Sequence, residues 1–503
     1  MFNSETIVFI GYFILLFFVS LIFFFNGSNK DQEDYFLGGR SMGYWVTAMS
    51  AQASDMSAWL LMGLPGSILA FGFGQIWIGI GLALGTTCNW IFCAKRLRLF
   101  SKAAGDSITL PQYLTNRFAS ERKTLQIICA IIFLVAFTVY VASAFVAGTS
   151  VFTLLFPSMS EKLSMIIFAL IIIGYTFLGG FKAVCWTDFF QGILMMIALL
   201  AIPIIVVCTQ KLDTSVLQNV YTYKDAAGDI VTCDFGSGLF SASWKDILSG
   251  LGWGLGYFGM PHILVRFMSI EKPSMVKKAS VVAIVWVVLS IMGACLIAYF
   301  GRMIVAEELL TNGLQKTVFI VMARNFFPPA IAGFLLAAIM AASVSTADSQ
   351  LLVASSSFAS DIYKPLIRKD AGAKEVLWVG RLAVILISVV AYIIASSKGS
   401  GAQGIMDMVE NAWGIFGSAF GPVILLSLFW RRFNYLAACS GVVAGATLDI
   451  LWLIFFKNSG IYELIPGFIF GILVSVVVTL ITPEPDSSVT DIFDLAISEN
   501  FDE

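Results

Sequence analysis

The chain reads as an all-α integral membrane protein of about thirteen membrane-spanning helices. Three observations predict this. Of its 503 residues 58% are apolar and 12% charged, with a mean hydropathy of +0.88; soluble domains are only about 45 to 50% apolar. About thirteen apolar stretches reach the roughly 20 residues that a helix needs to cross a bilayer. Two of those stretches carry polar groups or helix breakers at their middles, the pattern of interrupted helices that line a cavity.

The spans run approximately over 5–25, 45–71, 75–94, 125–150, 163–180, 187–208, 246–265, 279–303, 328–356, 376–397, 405–430, 436–457 and 462–481. An odd count places the termini on opposite sides. The opening MFNSETIVF lacks a basic n-region and a small-residue cleavage site, so the first span is expected to be retained. With the N-terminus outside, the inner loops hold 21 of the 30 Lys and Arg residues, against 9 in the reverse orientation. Basic loops resist translocation, so the N-terminus is expected outside and the C-terminus in the cytoplasm. The net charge of −2 implies no nucleic-acid surface, and no obligate protein partner is evident. The eight cysteines show no CxxC or Cys/His zinc spacing; Cys208 and Cys233 flank one loop and could pair, although free thiols are expected.

Residues 1–44 are read as a first span and inner loop, in which Arg40 is either at the inner mouth or an ordinary positive-inside charge. The second span, WVTAMSAQASDMSAWLLMGLPGSILAF, opens a five-helix unit, 45–208. Asp55 lies at its centre, where an ionised carboxylate costs about 2.5 to 3.5 kcal/mol unless a cavity, a cation or a polar partner meets it. Ser50, Gln52, Ser54 and Ser57 add oxygens within a turn or so, and Gly63, Pro65 and Gly66 weaken the backbone. The stretch reads as an ion or solute site; the plainer alternative is an acid that only hydrogen-bonds a neighbouring helix. In the fourth span Tyr140 either lines a pocket or packs. Asp188, at the entrance of the sixth span, either serves a site or caps its helix.

After an outer loop, 209–245, a second five-helix unit spans 246–430. Its first span, ILSGLGWGLGYFGMPHILVRFM, has five glycines and Pro261 and is expected to break. Trp253 and Tyr257, four apart, share one face and offer apolar rings with polar tips. His262 is the single histidine; it can build neither a metal site nor a catalytic triad, and is expected to be a structural hydrogen-bonder at the inner end. Interrupted spans that each begin a run of five suggest an inverted 5+5 repeat with its site near mid-membrane. In the ninth span Ala342, Ser343, Ser345, Thr346, Asp348 and Ser349 form a dense run whose hydroxyls suit a hard cation, or whose small size suits close packing. Two C-terminal spans, 431–482, include Asp449, an unexplained buried acid. The tail 483–503 has seven acids after Pro483 and no Lys or Arg, and is expected to be solvated and mostly disordered.

The stretches GGRSMG, SAQASDMSAWLLMGLPG, GGFKAVCWTD, GWGLGYFGMPHILVRFM, STADSQLL and IYELIPGFIFG resemble, in order and over nearly the whole chain, the sodium:solute symporter family. Its bacterial sodium/proline symporter branch is the most similar. The resemblance implies a LeuT-type fold of thirteen spans in the bacterial cytoplasmic (inner) membrane. It further implies alternating access and uptake of L-proline with sodium; the alternative solute is another small amino or carboxylic acid. By position it puts sodium on the carbonyls of Ala53, Met56 and Ala342 and the hydroxyls of Ser345 and Thr346, with Asp55 nearby. It puts the solute among Ser57, Ala58, Trp59, Tyr140, Trp253, Tyr257 and Pro261. The branch usually has Gly where Ala58 stands. Some relatives have a second sodium site, which here would use Asp188, Ser345, Asp348 and Ser349; two carboxylates in that set leave one or two sodium ions open.

Enzyme, sensor and channel readings fit less well. A membrane metalloprotease needs HExxH-type ligands, the chain ends about twenty residues after its last span, and a channel has no need of paired broken helices.

Overall fold

Apolar stretches inside a bilayer must satisfy their backbone hydrogen bonds internally, and this chain does so almost entirely as helices. A computed structural model describes residues 4–25, 32–224, 228–236, 238–398 and 402–498. After α1 (Ser4–Phe25) and the short α2 (Gln32–Leu37) come α3 (Tyr44–Asp55) and α4 (Gly63–Phe71), the halves of one interrupted span. Then follow α5 (Ile76–Cys88), α6 (Ala94–Ala103), α7 (Leu110–Arg117), α8 (Thr124–Leu155) and α9 (Glu161–Thr209). The second interrupted span is α10 (Trp244–Gly252), a 3-10 segment over Trp253–Phe258, and α11 (Pro261–Ser269). The remaining helices are α12 (Val276–Ile304), α13 (Ala306–Leu310), α14 (Val318–Phe326), α15 (Pro329–Ser357), α16 (Ala373–Lys398), α17 (Ala402–Phe429), α18 (Tyr435–Phe455), α19 (Leu464–Ile481) and α20 (Ser487–Ile497).

Ten helical segments among the described residues are long and apolar enough to cross a membrane. One of them, α9, contains two spans, divided where Gly180 takes a φ of 63° that L side chains rarely adopt. With that division and the two interrupted spans, the set is compatible with thirteen. The helix α15 is the most enclosed of the ten and packs against α1, α3, α8, α9 and α16. Large apolar side chains on the outer helices face outward at helical spacing, as with Leu382, Leu386, Val389 and Ile393 on α16 and Leu473, Val477 and Leu480 on α19.

The loop between α9 and α10 forms a hairpin, β1 (Tyr221–Lys224) with β2 (Ile230–Cys233), and Arg302 of α12 pins it. Arg302 donates to the carbonyls of Leu69, Asn219 and Cys233, and its guanidinium lies 5.0 Å from the Tyr221 ring centre. The tail past Pro483 is helical as far as Ile497 rather than disordered. Asp491 and Asp494 on this helix are exposed, whereas Val489, Phe493 and Ala496 share a buried face. Phe493 meets Phe100 edge-on at 5.2 Å and lies under the Arg117 guanidinium, and Arg431 pairs with Asp494 at 2.7 Å. Net acidity hid this amphipathic stripe.

Arg40 is buried and partnered. It donates to Asp106 at 2.7 Å, to the Met268 carbonyl at 2.6 Å and to the Ser107 carbonyl at 2.9 Å, tying the loop before α3 to the end of α11. Partial burial opposes ionisation of Asp106, but Lys102 and Arg40 outweigh it and hold the carboxyl below its usual range. All eight cysteines, Cys208 and Cys233 included, are free thiols.

Candidate functional site

The first break falls earlier than the glycines suggest. Helix α3 ends at Asp55; Met56 turns (φ −84°, ψ 86°) and Ser57 is extended (φ −65°, ψ −174°). Gly63 and Pro65 begin α4 instead, because proline is tolerated in the first turn of a helix, where its missing N–H has no intrahelical partner to lose. The second break is at Met260 (φ −78°, ψ 107°), with Pro261 opening α11. The glycines of this span serve packing as much as weakness. A Cβ on Gly85 would lie 2.2 Å from the Gly254 carbonyl oxygen, and one on Gly81 2.2 Å from that of Gly250, so only bare backbone lets α5 approach so closely.

The two breaks meet at Asp55. Tyr257 Oη donates to Asp55 Oδ2, and Tyr140, buried on α8, lies within electrostatic reach of both. Trp59, in the turn after the first break, stacks on Trp253 at 6.2 Å with an interplanar angle of 13°. Trp413 of α17 closes another side of this cage, donating to the Trp253 carbonyl at 2.9 Å and meeting Tyr257 edge-on at 5.2 Å. Asn89 fixes Tyr257 from behind through its carbonyl, at 2.9 Å. Ala58 is buried in the turn whose first residue, Ser57, accepts from the Trp59 N–H at 3.3 Å. Pro261 is likewise buried at the start of α11. Trp413 was not singled out from the sequence, although Glu410 and Asn411 just before it are polar residues in an apolar span.

One turn away, oxygens of α3 and α15 converge. Ser345 Oγ donates to the Ala53 carbonyl at 2.7 Å and to the Ala342 carbonyl at 3.3 Å, and Thr346 Oγ1 donates to the same Ala342 carbonyl at 2.9 Å. The Ala53 carbonyl belongs to the last turn of α3, where acceptors lack intrahelical donors and the dipole favours a cation. Each hydroxyl proton can turn away and leave lone pairs on hydroxyl and carbonyl alike, so this set fits a small hard cation. Met56 is buried at the adjoining turn.

The other oxygens of α3 do not surround Asp55. Ser50 and Ser54, four apart on a second face, donate to Asp188 Oδ2 at 2.7 and 3.0 Å. Gln52, on a third face, donates to the Ala283 carbonyl at 3.0 Å. Asp188 itself is fully buried rather than capping a helix at the interface, because α9 restarts at Gly180, eight residues or about 12 Å earlier. It pairs with Arg266, a residue not singled out from the sequence. Arg266 Nη2 lies 3.2 Å from Asp188 Oδ2 with both side chains wholly enclosed, donates to Ser349 Oγ at 2.5 Å, and through Nε reaches Ser50 Oγ at 3.1 Å. Ser349 in turn donates to Asp348 Oδ1 at 3.2 Å. Asp188, Ser349 and Asp348 are thus gathered around a guanidinium, while the hydrogen bonds of Ser345 go to the upper cluster. An arginine within a span so rich in helix breakers was the available signal.

His262 sits in the first turn of α11, beside the break, not at the inner end. The ring packs edge-on to Phe137 at 5.7 Å, and both ring nitrogens are buried without a hydrogen-bond partner among the described residues, so His262 is not the structural hydrogen-bonder expected.

Comparison with known proteins bears on this geometry. The sodium:solute symporter family model matches residues 35–445. The high-affinity proline transporter PutP of Bacillus subtilis is 41% identical over 466 residues, covering 92% of this chain and 95% of that protein. A sodium/proline symporter of Staphylococcus aureus is 40% identical over 500 residues, covering 97% and 94%. Among solved structures, a Na+-coupled sialic acid symporter in a substrate-bound outward-open state superposes with a TM-score of 0.73 at 19% identity, over 96% of this chain and 99% of that one. MhsT in complex with L-phenylalanine gives a TM-score of 0.55 at 13% identity, over 86% and 97%. At these identities the solved structures show the fold, that of LeuT-type transporters.

Proposed function

The chain belongs to the sodium:solute symporter family, and from that premise we propose that it carries L-proline into the cell together with sodium, by alternating access. The observation that carries this reading is the meeting of two helix breaks, with an aromatic cage on one side and converging carbonyl and hydroxyl oxygens on the other. Sodium is held by the carbonyls of Ala53, Met56 and Ala342 and the hydroxyls of Ser345 and Thr346. Proline lies among Ser57, Ala58, Trp59, Tyr140, Trp253, Tyr257 and Pro261, its ring against the aromatic faces. Ser57 is four residues beyond Ala53, so an ion that draws Ala53 toward α15 also orders the turn that forms the pocket. Binding of each ligand then favours the other.

The lower set, Asp188, Asp348 and Ser349 with Ser345, is read as a place for a second cation beside Arg266, since one guanidinium against two carboxylates leaves a negative charge. The distribution of Lys and Arg supports an outer N-terminus and an inner C-terminus. Uptake of labelled proline into proteoliposomes, driven by a sodium gradient and challenged with other amino acids and organic acids, tests the proposal. Sodium-dependent uptake on which unlabelled proline competes best is expected. Uptake indifferent to sodium, or a stronger competitor from either class, overturns it.

A further inference from the structure

Outside this site a second pair of buried acids converges without a bonded base. Asp449, in the outer half of α18, has no exposure, and Glu463, at the start of α19, is 6% exposed. Asp449 Oδ1 accepts from Ser418 Oγ of α17 at 2.9 Å. Asp449 Oδ2 and Glu463 Oε1 are buried with no hydrogen-bond partner. Both carboxylates close on one point: a Cβ on Gly414 of α17 would lie 3.1 Å from Asp449 Oδ1 and 3.3 Å from Glu463 Oε1. Among the described residues neither acid forms an ion pair. Glu463 also lines a cavity of about 240 Å³, together with Ser249, Glu410, Asn411, Lys457 and Tyr462, at the end of the bundle assigned to the outside.

Two carboxylates this close repel when both are ionised, and burial makes an unpaired charge costly. Lys457, the base on the cavity wall, acts on Glu463 only at longer range. Carboxylate and hydroxyl oxygens select a hard cation, and the few protein oxygens here fall short of the roughly six to eight that calcium takes. We propose that Asp449 and Glu463, with Ser418, bind a hard monovalent cation, sodium, that enters through this cavity, at a site separate from the one between the helix breaks.

Such an ion would hold α17, α18 and α19 together beside the solute cage. Tyr462, next to Glu463, stacks on Trp253 at 5.1 Å, and its N–H donates to Ser249 Oγ of α10 at 3.1 Å. Occupancy therefore steadies the outer half of the second interrupted span.

The test is the Tm of the purified full-length chain in sodium, potassium, calcium or choline chloride at one ionic strength and one pH. A ligand that binds only the folded state raises Tm with the logarithm of its concentration above Kd. The Thr346→Ala variant removes a residue of the coupling site, so it separates this proposal from that reading. It is expected to keep a sodium-specific rise, and adding Asp449→Asn with Glu463→Gln is expected to cut that rise to what the lower set alone supports. Loss of the whole sodium response in Thr346→Ala, an undiminished response in the triple variant, or a rise seen only with calcium each overturns the proposal. If a low Tm in choline shows the triple variant to be misfolded, Ser418→Ala in the Thr346→Ala background decides. It keeps both charges and is expected to raise the sodium concentration for the half-maximal shift several-fold; no change overturns the proposal.

Discussion

Asp55 and Asp188 are both buried acids beside α3, with hydroxyls nearby, and they differ in the company of a base. Asp188 accepts from Ser50, Ser54 and the enclosed guanidinium of Arg266. Asp55 accepts from the Tyr257 phenol, and among the described residues it forms no ion pair. A carboxylate whose counter-charge is covalently part of the protein is bound into the scaffold. One whose partner is a neutral phenol still gains from a mobile cation, and it sits at a break where carbonyls are free to supply one. The contrast separates an acid tied to a fixed base from one whose partner is a neutral phenol.

The contrast breaks most visibly at Arg266. Arg266→Met leaves Asp188 uncompensated and is expected to cost about 3 to 5 kcal/mol, read as a fall in Tm or in folded yield. Adding Asp188→Asn should recover part of it. If Arg266→Met melts like the wild type, the guanidinium is not structural and the distinction fails.

At the other acid the expectation reverses. Thr346→Ala should leave folding nearly intact while sodium no longer promotes proline binding at equilibrium, a loss of coupling of about 1 to 3 kcal/mol. Intact sodium-enhanced binding would make Thr346 a packing residue. Asp55→Asn should likewise spare Tm and raise the sodium concentration for half-maximal uptake by tenfold or more, roughly 1.4 kcal/mol. Unchanged sodium dependence removes Asp55 from the ion site.

Tyr257 sharpens the comparison because it touches both ligands' territory. Tyr257→Ala removes aromatic contact and should raise the half-maximal proline concentration by more than the sodium one, roughly 1 to 3 kcal/mol. Tyr257→Phe keeps the ring, loses the donor to Asp55, and should move sodium dependence more than proline dependence. Equal shifts in both parameters for both variants would indicate a collapsed break instead.

The smallest effect on stability is expected at Asp348, one residue removed from the guanidinium through Ser349. Reversal potentials report the charge carried per zwitterionic proline. Two charges in the wild type and one in Asp348→Asn would assign a second transported cation to the lower set; one charge in the wild type would remove a transported second cation, leaving Asp348 structural, a proton-binding group, or part of a site whose ion is not carried across.

Much of this was legible in the chain. Apolar runs of membrane length set the helices, because a bilayer offers the backbone no other partner. Interruptions near Asp55 and around Trp253–Pro261 marked where a site forms, because a polar group at that depth must be met by something. The resemblance of STADSQLL and its companion motifs to a known family supplied the residues of the ion and solute sets. The tertiary structure decided which oxygen serves which acid. Ser50, Gln52, Ser54 and Asp55 are near neighbours in the chain, yet the helical rotation of about 100° per residue spreads them over three faces, with Ser50 and Ser54 together on one, and only the packing of α9, α12 and α15 determines what waits there. The same holds for Arg266, Trp413 and the pair Asp449 and Glu463. Each is defined by a partner on another helix, and sequence distance carries no information about which helices touch.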